Sequence, residues 1–196
     1  MPLAYWLWYR AMARAGLSPE VVVDIALRVV DRDGAGVLTL AAVAAECGVS
    51  TPSLYKHVAS LGDLRARIGV RIMHEMTATF TAAALGRAGD EAVSAVMHAY
   101  REYARTHPAR YAAMPADPLH DPALVEAGTR MLTVLATMLR EYGLAGPDLV
   151  HAVRRMRAVA HGFVSIEVAG GFGLPEKLDE TYDQLVDMVI TSLRRT

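Results

Sequence analysis

The sequence predicts an all-α protein: a small three-helix module at the N-terminal end and a larger helical body after it, about nine helices in all. Three observations point there. Hydrophobic residues fill 53% of the 196 positions, enough to build a core and far more than a disordered chain carries. Alanine leads that apolar set, Phe is scarce, and β-branched runs are short, which favours closely packed helices over strands. Apolar residues also recur at helical spacing between breaks marked by Gly and Pro.

In chain order, residues 1–17 read as an N-terminal extension or arm that carries both tryptophans, Trp6 and Trp8. Its apolar opening lacks the basic start and the length of a signal peptide. Ser18-Pro19-Glu20 then starts a helix: a serine N-cap, a proline at the first helical position and an acid at the positive end of the dipole. Val22, Ile25, Ala26 and Val29 form its inner face, and Gly34 ends it. Thr39 caps a second, short helix that stops at Cys47-Gly48-Val49. Ser50 caps a third from Thr51 to Val58. Ser60-Leu61-Gly62-Asp63 has the spacing of a capping box and introduces a long helix through about Leu85. Further helices are expected over 90–106, 108–114, 122–142, 148–169 and 178–195, separated by Pro- and Gly-bearing segments. Gly170-Gly171-Phe172-Gly173 reads as an interhelical loop.

Charge and cysteine content narrow the function classes. The net charge is −1, with seven Arg/Lys against six Asp/Glu over residues 1–70. Bulk electrostatic attachment to nucleic acid is therefore weak, and any DNA contact must be specific. A single cysteine, Cys47, excludes an intramolecular disulfide framework and fits a reducing cytoplasm. No apolar run approaches the ~20 residues of a membrane span. The seven histidines include no His-x-x-x-His pair, so neither a metal nor another cofactor is expected. No phosphate loop, Gly-x-Ser-x-Gly elbow or paired catalytic carboxylates appear, so no enzymatic chemistry is expected either.

The segment that carries function is residues 39–58. Two short helices joined at Gly48 make a helix-turn-helix, with small alanines allowing close approach and Val49 filling the space between them. Leu54 and Val58 face inward. Thr51, Ser53, Tyr55, Lys56 and His57 are left outside, a set of hydroxyls, an aromatic and a cation suited to phosphates and base edges in a major groove. A plain α-hairpin is the competing reading, within a helical enzyme or small-molecule carrier.

The stretch from Ser18 to about Ile68 resembles the DNA-binding domain of the TetR family of bacterial regulators. The likeness rests on Thr39-Leu40-Ala41-Ala42-Val43-Ala44 and on Gly48 to Val58 with its Leu54-Tyr55-x-His57 pattern. Arg157 to Phe163, then Glu167 and Gly170 to Gly173, resemble the regulatory domain named for a Trp-His-Gly motif, with Ala160 where the aromatic would stand. The resemblance implies domains at 18–63 for DNA binding and 64–196 for effector binding and dimerisation. It implies recognition-segment contacts from Thr51, Pro52, Ser53, Tyr55, Lys56 and His57, with Thr39 anchoring the second helix at the backbone. Tyr55 and His57 would mainly hold phosphates, while Thr51, Ser53 and Lys56 would reach base edges. Where many relatives carry a lysine this chain has Leu61, and Arg65, Arg67 or Arg14 would have to take over that phosphate contact. The partners implied are a double-stranded DNA operator, a small-molecule effector and a second copy of the chain.

Met and Tyr are concentrated between residues 70 and 140. They read equally as plain core or as a deformable pocket for a hydrophobic or aromatic effector. The pocket candidates are Met76, Phe80, Met97, Tyr100, Tyr103 and Met138, with Phe163. Val153, Met156, Ala160 and Val164, then Tyr182, Leu185 and Val189, form two apolar stripes. Each stripe could be buried inside the chain, whereas the resemblance implies that they pair across a two-fold axis. His161 beside Gly162 reads as structural.

Overall fold

The computed structural model describes residues 17–194, and Ser18 sets the first helix boundary. The arm over 1–17, with Trp6, Trp8 and Arg14, lies almost wholly outside the described residues. The Ser18 Oγ accepts the Val21 N–H at 3.3 Å, and Pro19 opens α1 (Pro19–Asp33). Gly34 ends it at φ 88°, a conformation that L side chains rarely adopt, with its N–H on the Val30 carbonyl. A 3₁₀ turn over Ala35–Val37 leads to Thr39, whose Oγ1 accepts the Ala42 N–H at 3.1 Å and caps α2 (Leu40–Cys47). Gly48 reverses the chain in the left-handed region (φ 68°, ψ 28°), and α3 (Thr51–Leu54) follows.

The expected helix over 51–58 is thus shorter. Its hydrogen bonding persists as a turn, with His57 and Val58 donating to the Leu54 carbonyl. It stops there because the next helix claims the following residues. Asp63 accepts the Ala59 N–H at 2.8 Å, and Ser60 Oγ accepts the Asp63 N–H at 3.0 Å. That reciprocal cap launches α4 (Leu61–Ala84).

The chain divides into two compact units between Gly69 and Val70. In the first, α1 packs on α2 and α2 on α3. Val22, Ile25, Val29, Val43, Leu54 and Leu64 are buried there. Arg32, at the end of α1, reaches Glu46 on α2 at 2.9 Å while its Nε and Nη2 hold Asp33.

The second unit contains the rest of α4, then α5 (Gly89–Thr106), α6 (Pro108–Ala112), α7 (Val125–Met138), a 3₁₀ turn (Leu139–Tyr142), α8 (Gly146–Val168) and α9 (Leu178–Leu193). The described residues contain nine α-helices and no strand. Two elements are shorter than expected. In place of a helix from 122, the Asp121 side chain accepts the Ala123 N–H at 2.9 Å and its carbonyl takes Leu124, so a local turn delays α7. Helix α6 ends at Ala112 rather than 114.

Helix α5 is the hub, packing against α6, α7, α8 and α9. From it, Arg101 grips Glu167 on α8 with two bonds, 2.8 and 2.7 Å, and Asp179 on α9 with a third at 2.8 Å. Its guanidinium lies 5.3 Å from the Phe163 ring centroid and 5.0 Å from that of Tyr182. The Tyr182 hydroxyl donates to the Met97 carbonyl at 2.7 Å, tying α9 to α5 again. The Arg101 and Glu167 side chains are only 7% and 11% exposed, whereas that of Asp179 is 77% exposed.

These exposures separate the two legs of the Arg101 fork. Glu167→Ala leaves a buried guanidinium short of its partner and is expected to cost about 3–5 kcal/mol in denaturant unfolding. Asp179→Ala removes a solvent-screened leg and should cost about 1 kcal/mol or less. Equal losses from both would show that the exposed leg carries the junction.

Candidate nucleic-acid interface and second-unit cavity

Ser50 stands at the N-cap of α3 as expected, but its side chain makes no capping hydrogen bond; its carbonyl accepts the Ser53 N–H at 2.9 Å. Pro52 stands at the start of α3, where no backbone N–H is needed, and Leu54 and Val58 are buried beneath it. Pro52, Tyr55 and Lys56 are exposed, while Thr51, Ser53 and His57 are half-buried. Tyr55 is 57% exposed, an outlying value for an aromatic in a module whose other large apolar groups are mostly inside. The Ser53 and Ser50 hydroxyls share a hydrogen bond of 2.9 Å. Six of the seven expected contact residues therefore run together from Thr51 to His57. Thr39 stands apart at the start of α2, exposed and committed to its cap.

Nearby cations differ in availability. Lys56 and Arg65 are exposed. Arg67 is held by Asp63 at 2.9 Å, and Arg32 by Asp33 and Glu46. The Asp63 carboxyl sits below the ordinary carboxylate range: burial pushes it up, but the Ala59 N–H and Arg67 more than offset that.

The second unit encloses a cavity of about 660 Å³, within the range of small-molecule sites. Met73, Met76 and Phe80 of α4, Met97 and Tyr100 of α5, Met131 and Leu135 of α7, and Met156 and Ala160 of α8 line it. The Tyr100 and Phe80 rings stack with centroids 5.9 Å apart. The Tyr100 hydroxyl bonds to that of Tyr111 at 3.0 Å, and Tyr111 bonds in turn to His161 Nδ1. Burial, with Tyr111 as neighbour, raises the Tyr100 pKa well above the usual phenol value, so it remains a neutral phenol.

Four of the expected pocket residues, Met76, Phe80, Met97 and Tyr100, meet in this cavity. Three do not. Tyr103 turns away to donate to Glu75 at 3.0 Å. Met138 is buried where α7 tightens into the 3₁₀ turn. Phe163 packs at a tilt against the Phe172 and Tyr182 rings under Arg101. Helical periodicity marks all seven as inward but does not say which side of a helix faces a void. The segment from Met114 to His120, which also lines the cavity, carries only a weak signal in Met114.

Comparison with known proteins sets this geometry in a family. A family model described as the tetracyclin repressor-like C-terminal domain matches residues 93–189. An uncharacterized HTH-type transcriptional regulator of Mycobacterium tuberculosis, Rv0681, is 38% identical over 164 residues, covering 82% of this chain and 75% of that protein. The chain belongs to the TetR family of transcriptional regulators. A second relative, the HTH-type transcriptional regulator YobS of Bacillus subtilis, is 29% identical over 86% of this chain and 88% of its own. The solved structure of BioQ with its double-stranded DNA operator shares the fold at a TM-score of 0.67 and 19% identity, covering 92% of this chain and 100% of that one.

In this TetR-family regulator the stripes expected to meet a partner are largely occupied within the chain. Val153, Met156 and Ala160 line the cavity. Val164, Tyr182 and Val189 are at most 2% exposed, so they have no surface to offer a second copy; Leu185 is half-buried. The exposed large apolar groups on α8 and α9 are instead Val150, Ile166, Val168 and Met188. Among the described residues, no helix is long and apolar enough to cross a membrane.

Cys47, at the end of α2, is half-buried. Burial pushes its thiol up to about 11, with Arg28 opposing and Glu46 adding to the rise. Since only the thiolate attacks, iodoacetamide at pH 8 should modify the folded protein about a hundred-fold more slowly than a small exposed thiol, with full reactivity restored in guanidinium. Comparable rates in both states would show an ionised, accessible Cys47.

Proposed function

We propose that this TetR-family regulator is a cytoplasmic, homodimeric repressor, released from a palindromic operator by a small apolar or aromatic effector. Residues 18–63 would read DNA, and 64–196 would bind effector and partner. The observation that carries this reading is the course of α4. It begins at Leu61, directly after the recognition segment, and continues without interruption to line the cavity with Met73, Met76 and Phe80. A ligand filling the cavity contacts the same helix that follows the DNA-reading residues. Only an effector with higher affinity for the DNA-free state releases the operator.

Pro52, Tyr55 and Lys56 supply the exposed contacts, Tyr55 and His57 to phosphate and Lys56 with Thr51 and Ser53 to base edges. Thr39 presents the start of α2 to the backbone. The dimer uses the outer faces of α8 and α9. There Ala158 and Gly162 are small enough for close helix approach, and Ile166 and Met188 are 46% and 53% exposed. Leu185 adjoins this face, whereas the buried stripe behind it stabilises each protomer. Such a dimer sets two recognition segments roughly 34–36 Å apart, one turn of DNA.

Footprinting and gel shift on the intergenic DNA flanking the gene test the reading. Lys56→Ala and Tyr55→Phe should weaken operator binding without affecting ligand binding. The wild-type log–log salt slope should be shallow for a dimer, because Leu61 replaces a cation and Arg67 is paired. Absence of sequence preference at every salt concentration would sink the proposal. Ile166→Glu with Met188→Glu should convert the dimer to a folded monomer in analytical ultracentrifugation. A dimer that survives both substitutions places the seam elsewhere.

A further inference from the structure

The lining of the second-unit cavity sorts by burial into two chemistries. In its deep wall Met73, Met76, Phe80 and Met97 are each at most 2% exposed and carry no charge. The one polar group in that wall, the Tyr100 hydroxyl, is engaged by Tyr111. At the exposed end of the same lining stand Asp117, His120, Arg154 and Arg157.

The charges at this rim do not cancel. Both carboxylate oxygens of Asp117 lie 2.8 Å from His120 Nδ1. That contact holds the Asp117 carboxyl below the ordinary carboxylate range. Arg157 donates one Nη2 to the Ala116 carbonyl at 2.8 Å, which leaves the rest of its fork unused. Arg154, one turn earlier on α8, makes no hydrogen bond or ion pair with a described residue. The rim thus carries two guanidinium groups and one carboxylate that already has a partner. Helix α8 presents both chemistries within two turns, since Met156 and Ala160 are buried against the void and Arg154 and Arg157 are exposed at its edge.

We propose that the cavity takes an amphipathic anion: an apolar chain or ring system seated against Met73, Met76 and Phe80, with a carboxylate received at the rim by Arg154 and Arg157. The inference rests on the reading of this cavity as the effector site and adds the class of effector. A carboxylate matches the planar guanidinium fork in two parallel hydrogen bonds. An uncharged ligand gains only the burial, and a cationic one meets repulsion from both arginines.

Isothermal titration of the full chain with dodecanoate, dodecanol and dodecylamine tests it, together with release of intergenic DNA by each probe. Dodecanoate is expected to bind about ten-fold or more tightly than dodecanol, with dodecylamine weakest. Arg154→Gln with Arg157→Gln should bring dodecanoate down to the affinity of dodecanol and leave dodecanol unchanged. Equal binding of all three probes, or a double variant that holds dodecanoate as the wild type does, overturns the proposal. If dodecanol releases DNA as well as dodecanoate, the charge assignment fails and the effector cavity stands. If DNA binding is intact but no probe binds, both the anion proposal and the reading of the cavity as an effector site fall.

Discussion

Arg101 holds the second unit together from a position where a lone charge would be untenable. It is buried on α5, the helix that touches all four of its neighbours α6 to α9. A guanidinium taken out of water demands compensation, and here two helices provide it: Glu167 from α8 by a bidentate bond and Asp179 from α9 at the solvent edge. The Phe163 and Tyr182 rings cover its faces. Because the fork is planar and its partners come from separate elements, it admits few arrangements of α5, α8 and α9. Apolar packing of Ala, Val and Met alone would tolerate sliding among these helices.

That constraint bears on the cavity. Helix α8 uses one side for Phe163, Val164 and Glu167 at the Arg101 junction and, earlier along its length, Met156 and Ala160 to wall the void. With α5 and α8 anchored beyond the cavity, an opening between helices persists without collapse. Flexible methionines line it among Leu and Val side chains, so its shape can adjust. The polar chain from Tyr100 through Tyr111 to His161 performs a related task, satisfying a phenol that burial would otherwise leave without a partner. Helix α4 is joined to α5 and α6 through Glu75, which accepts from Tyr103 and Arg110.

The recognition segment obeys a more local logic. Its shape comes from Thr39, Gly48, Ser50, Pro52 and the Ser60–Asp63 cap, each acting within a few residues. Hence Tyr55 and Lys56 could be picked out as exposed from sequence alone, whereas Thr51, Ser53 and His57, read as outward by the same spacing, are half-buried. The division between contact and support was also legible, since Leu54 and Val58 recur at helical spacing. Less visible was the end of α3 at Leu54, because the residues that follow are taken up by the start of the next helix, through the Asp63 bond to the Ala59 N–H and the Ser60 bond to the Asp63 N–H.

The helix-turn-helix could be read ahead of the structure because capping, turn chemistry and periodicity are short-range properties, written in neighbouring residues. The all-α class and the order of the helices rested on the same local signals. What only the tertiary structure decided was how each apolar stripe is used. Met76 and Tyr103 look alike in sequence, yet one faces a void and the other reaches Glu75. Val164 and Ile166 are both β-branched residues of α8, yet one is buried within the protomer and the other is exposed. Periodicity says that a residue points inward; which inside it meets depends on helices distant in sequence, and on where a single buried arginine obliges them to converge.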